Sequence, residues 1–161
     1  MKILTIGFIA LGIAITIGAP ASRAQTSDEA ARLVQNLQDS WNKKNGTQWS
    51  TSFAAEHDYV VINGMFLPKI SPKQNAEAHQ RIFDTIYKEV DLTLRVAKIR
   101  SLTAELGVVH VQGHTHQKGK PDEKRAEVII TGVVRKFPDG WKIVAFQNTP
   151  VEQRSGPPPR S

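Results

Sequence analysis

The chain contains no cysteine. Disulfides are therefore excluded, and so is a lipid anchor on an N-terminal cysteine; whatever fold forms must stand on its core alone. Long apolar runs are scarce too. The one candidate, Ile3–Ile17, is about 15 residues, short of the roughly 20 that span a bilayer as a helix. Gly-rich phosphate loops are missing, because Gly107, Gly113, Gly119 and Gly132 stand alone, so the sequence offers no nicotinamide or flavin site. No Gly-x-Ser-x-Gly elbow marks a nucleophile. The net charge is +6, but the basic residues are scattered, with none of the concentrated stripe that nucleic-acid binding uses.

What is present begins with an export signal. Lys2 precedes the apolar run, and Ser22 and Ala24 are small residues at the −3 and −1 positions of a cleavage site before Gln25. This pattern predicts a signal peptide over 1–24; the rival reading is a retained anchor. Cleavage would remove Lys2 and Arg23 and no acid, leaving a formal charge of +4. The protein is then expected in a periplasmic or secreted location, with no stable membrane anchor and no nucleic-acid partner. The remaining length is that of one domain, placed at 25–152. A Pro-rich tail over 153–161, with Pro157-Pro158-Pro159, cannot hold a packed structure.

Within the domain, Ala30, Leu33, Val34, Leu37 and Trp41 recur in steps of three and four and predict a helix over Thr26–Lys44, ended by Asn45-Gly46. A short helix follows over Thr47–Phe53. Asn63-Gly64 between two apolar runs, Asp58–Ile62 and Met65–Leu67, signals a hairpin. Ser71-Pro72 starts a third helix running to about Lys88, with His79, Ile82 and Phe83 on one side. Four extended segments close the chain: Leu92–Leu102, Val108–Gln117, Arg125–Phe137 and Trp141–Thr149. The expected fold class is α+β, with three helices toward the N-terminus packed on an antiparallel sheet. Alternation along the last two strands leaves apolar residues on both faces. Helices cover one face, so a homodimer through the other is predicted.

The order of elements resembles the nuclear transport factor 2-like superfamily, also called SnoaL-like or ketosteroid isomerase-like. The residues that carry the likeness are Trp41-Asn42, Ala55 to Val60, Asn63-Gly64, His79 with Ile82-Phe83, and the ending Trp141 to Pro150 with its Gln147-Asn148-Thr149-Pro150. They are similar to the SgcJ/EcaC-type branch, and the similarity runs from Thr26 to Val151. The resemblance implies a cone-shaped fold with a curved sheet around an enclosed apolar pocket. In its understood members that pocket serves acid–base chemistry on small molecules without a cofactor.

Several residues are candidates for that pocket. Asp58 at the lip and His79 on the third helix form the expected acid–base pair, projecting into one cavity. The alternative for Asp58 is a carboxylate that bonds backbone amides; for His79, a satisfied core histidine. Tyr59, Trp41 and Phe83 are expected to line the ligand space. Gln147 and Asn148 alternate faces, one toward ligand and one toward the dimer or strand end. His110, Gln112, His114 and His116 share parity, hence one face of one strand. His110 and Gln112 are the ligand candidates among them. His114 and His116 have a two-ligand metal spacing without a third ligand nearby, so no metal is assigned. Three readings of function follow: an exported binder of a small apolar or amphipathic molecule, a cofactor-free isomerase or dehydratase using Asp58 and His79, and a non-catalytic association module. A filled interior would favour the last.

Overall fold

The computed structural model describes residues 21–151, with side chains from Ser27 onward. The predicted leader falls largely on residues 1–20 and the Pro-rich tail on 153–161, both outside the described residues. Among the described residues, no helix is long and apolar enough to cross a membrane.

The chain runs α1 (Ala21–Asn42), α2 (Gly46–Ser50), β1 (Phe53–Val60), β2 (Phe66–Ile70), α3 (Pro72–Asp84), β3 (Val90–Ser101), β4 (Leu106–Gln117), β5 (Lys124–Phe137) and β6 (Gly140–Pro150). The fold is α+β. The six strands form one curved sheet in the order β2-β1-β6-β5-β4-β3. It is not wholly antiparallel, as expected from the meander, because β1 lies parallel to β6, with Tyr59 opposite Phe146. That one parallel pairing merges the short hairpin and the four-strand meander into a single sheet.

α1 ends differently from its prediction. Lys44 adopts a left-handed conformation at φ 56°. Asn45 then caps α2, its side chain accepting the Gln48 N–H at 2.8 Å. Gly46 is thus the first residue of α2, not the stop of α1. A Cβ there would overlap Ala76 O and come within 2.9 Å of Gln80 N, so only glycine lets α2 press against α3. Ser71 and Gln74 form a reciprocal capping box at the start of α3.

The helices cover one face, called inner below. Val34, Leu37 and Trp41 of α1 pack there with Val109, Val111, Val128, Ile130, Val134, Ile143 and Phe146. α1 also caps half of the edge strand β3. Asn42 bonds both N and O of Leu92 (2.8 and 3.0 Å), Gln38 accepts Leu94 N–H, and the Trp41 indole donates to Val90 O at 3.0 Å. Open strand edges invite foreign pairing, and here side chains satisfy the exposed ladder. The other edge, β2, carries Pro68 and a left-handed Lys69 at φ 50°.

Candidate functional site

β1 decides which polar groups enter the interior. Phe53 and Ala54 are buried at its start, and from His57 onward its residues alternate, with His57 and Tyr59 buried. Asp58 therefore points to the opposite face. There its carboxylate accepts the Lys69 N–H at 3.0 Å, beside the irregularity in the β1–β2 pairing. The expected sharing of one cavity by Asp58 and His79 is thus overturned. Neighbours in a strand face opposite ways, and Tyr59 holds the inward position. The alternative role for Asp58, bonding a backbone amide, is the one found.

His79 is inward, as its place on the helix stripe predicts, and 8% exposed. Its Nδ1–H donates to Asn75 O at 3.0 Å, one turn earlier in α3. The ring's other nitrogen, Nε2, is then a lone-pair acceptor, and the Tyr59 hydroxyl donates to it at 3.4 Å. Trp49 stacks on the imidazole with centroids 4.5 Å apart, and Phe83 meets it edge-on at 5.8 Å. Burial drives the His79 pKa down to about 4, against the Asn75 carbonyl that favours the charged form; nearby His57 lowers it further. At neutral pH the ring is uncharged. Burial likewise pushes the Tyr59 hydroxyl up, so it stays protonated.

Sequence reasoning missed the second half of this chain of bonds. His57, 2% exposed, donates from Nδ1 to Ala54 O at 3.0 Å and accepts at Nε2 from the Asn75 side chain at 2.8 Å. A continuous path therefore runs Ala54–His57–Asn75–His79–Tyr59. Its signal was legible: His57 and Tyr59 are two apart in a strand and must share a face. Burial lowers the His57 pKa as well. Four buried side-chain polar atoms have no partner among the described residues: Asn75 Oδ1, which lies on this path, and Trp49 Nε1, Trp141 Nε1 and Asn148 Oδ1.

The other candidates separate cleanly. A bulge in β6 where β5 pairs across Val133–Val134 reverses the alternation. Trp141, Ile143, Phe146 and Asn148 lie on the inner side, whereas Gln147 is exposed on the outer face. Unbroken alternation would put Gln147 on the side of Trp141 and Ile143. Trp41 and Phe83 are packing groups whose rings meet at 5.2 Å. His110 and Gln112 are on the outer face, away from Tyr59 and His79; His110 Nδ1 pairs with Thr131 Oγ1 at 3.2 Å. His114 and His116 share that face with ring centroids 5.8 Å apart, and among the described residues no third side chain completes a metal site with them.

The expected enclosed pocket is not what surrounds His79. Trp49, Phe53, Tyr59, Phe83 and Phe146 fill that space with rings, centroids of touching pairs 4.7–6.5 Å apart. Three grooves of 410–470 Å³ lie elsewhere, and none is lined by Tyr59, His79 or Trp49. Chemically, the arrangement offers a neutral imidazole acceptor and a phenolic donor, buried and locked in one tautomer.

No family model matches the chain, and no curated protein matches it. Solved structures do. One is a domain of unknown function with a cystatin-like fold from Nostoc punctiforme, at TM-score 0.72 and 24% identity, covering 84% of this chain and 81% of that one. Another is a ketosteroid isomerase-like protein from Erwinia carotovora atroseptica, at TM-score 0.62 and 11% identity, covering 84% and 100%. A third is a putative dehydratase of the NTF2-like family from Streptomyces avermitilis, at TM-score 0.61 and 15% identity, covering 81% and 99%. At these identities the likeness is one of fold: the chain has the fold of the cystatin-like, ketosteroid isomerase-like and NTF2-like proteins.

Proposed function

We propose that this protein binds a small apolar or amphipathic molecule on the inner face of its sheet, with Tyr59 and His79 as the polar anchor. One observation carries this reading. A single line of hydrogen bonds crosses an otherwise aromatic interior and ends on a long, weak contact, the 3.4 Å Tyr59–His79 pair. A hydroxyl or carbonyl on a ligand makes a better partner for either group. Half-buried Val61, Ile62 and Leu67 pack against the core, Leu67 paired with Tyr59; they form the apolar approach, and the entering molecule displaces part of the ring cluster. Acid–base turnover, if it accompanies binding, uses His79 Nε2 as the base and Tyr59 as the donor, since Asp58 lies across the sheet. The test is mass spectrometry of small molecules released from the purified protein. A compound is expected to co-purify with wild type and to fall at least tenfold in occupancy in Tyr59→Phe, the worth of one buried hydrogen bond of about 1.4 kcal/mol. Wild type that releases nothing, or a variant that retains the compound equally, defeats the reading.

The filled interior favours a second reading, association with another copy. Val108, Val133 and Ala145 stand side by side on the outer face, each only half-buried. We propose that they meet a second copy. Light scattering at micromolar concentration should give a dimer, and Val133→Glu a monomer, because a charge buried in an interface without a partner is costly. A wild-type monomer ends this proposal.

A further inference from the structure

The outer face holds a feature that neither reading uses. Strand register arranges its side chains in rows. One row is Thr93, His114 and Glu127; the next is Arg95, Gln112 and Ile129; then come Lys98, His110, Thr131 and Gln147; the last is Arg100, Val108, Val133 and Ala145. Rows are about 7 Å apart along a strand. The apolar row proposed for pairing is the last, and the first two lie at the other end of the face.

Over those first two rows opens a groove of 470 Å³, lined in part by Thr93, Arg95, His114, Lys124, Ile129 and Val151. Its size suits a small organic molecule. Its charge is one-sided. Arg95 has no acid partner among the described residues; it bonds only the Gln112 side-chain oxygen. Lys98 and Arg100, on the same strand and face, also have no acid partner among the described residues. Among the described residues the one acid lining the groove, Glu127, is bonded to Lys124 at 2.9 Å, and that contact holds its carboxyl below the usual range. A guanidinium fixed through one edge by Gln112 keeps its remaining N–H donors for a planar, two-oxygen acceptor. Beside it, Ile129 and Val151, the latter 41% exposed, supply an apolar wall.

We infer that this outer-face groove binds a carboxylate carrying a short apolar chain, the carboxylate on Arg95 with His114 at its side, and the chain along Ile129 and Val151. The bland alternative is a solvated basic edge that keeps β3 from pairing with other strands. It predicts no saturable site and no difference between Arg95 and Lys98.

The experiment is a titration of the purified protein with hexanoate, followed by backbone amide shifts in two-dimensional NMR. Saturable shifts are expected at Arg95, Gln112, His114 and Ile129. Arg95→Gln should weaken binding at least tenfold, and Lys98→Gln, which removes an equal charge outside the groove, should change it less than twofold. Inorganic phosphate, lacking the chain, should displace hexanoate only at tenfold or greater excess. The inference is overturned by non-saturable shifts, by equal loss in the two variants, or by phosphate that competes at equal concentration. Shifts centred on Tyr59 and His79 instead would also overturn it while supporting the inner-face site, so the two proposals fail separately.

Discussion

Between pH 6.5 and pH 4 the protein is expected to lose about 3 kcal/mol of folding stability through His79 alone. The sign follows from its lowered pKa of about 4. Above pH 6.5 the ring is neutral in folded and unfolded chains, and the full stability is present. As pH falls below the unfolded value, the unfolded chain takes up a proton that the buried ring refuses, so stability drops with pH. Below about pH 4 both states are protonated at this residue and its contribution levels off. His57, also lowered by burial, adds to the loss in the same direction. Urea unfolding at a series of pH values measures the slope. His79→Gln should flatten it by most of the 3 kcal/mol, whatever the variant's absolute stability. Should that variant fail to fold, NMR titration of the His79 ring in wild type decides the matter. A ring that titrates near 6.5 removes the effect. Such a value would also mean that water reaches His79 and that the aromatic cover is open.

Phe83→Ala is expected to cost about 3–5 kcal/mol, the range for deleting a fully buried aromatic ring. Phe83 is 1% exposed and meets Trp41 at 5.2 Å, His79 at 5.8 Å and Trp49 at 6.5 Å. It ties α1, α2 and α3 together over the sheet. All three neighbours sit on helices, and Gly46 already holds α2 against the backbone of α3. The cavity should therefore persist, beside His79. Thermal or chemical unfolding checks the cost. A loss under about 1.5 kcal/mol would mean that the cluster is looser than its ring distances imply, and that the interior already has room for a ligand.

Much of the fold was legible in the residues. Asn63-Gly64 and Ser71-Pro72 mark two junctions by local backbone chemistry, and each stands where the chain turns or a helix begins. The apolar stripe from Ala30 to Trp41 identified the buried side of α1. The site was only half legible. His79 inward and Tyr59 inward follow from helical and strand periods, but pairing His79 with Asp58 ignored the alternation that puts Asp58 outside. Asn75, polar on a helix, gave no local sign that it would bridge two histidines, because its partner His57 is 18 positions away.

By itself, then, the sequence determined the order and type of elements, the α+β class and the inward position of His79, since these rest on interactions between residues a few positions apart. Tertiary structure alone decided three things. The parallel β1–β6 pairing joins residues more than 80 positions apart. The bulge in β6 reverses which of Gln147 and Asn148 faces the core, and an irregularity of one residue flips every later side chain in a strand. Whether the interior holds a cavity or is filled depends on how rings from α2, α3, β1 and β6 meet, a packing outcome that no single segment encodes.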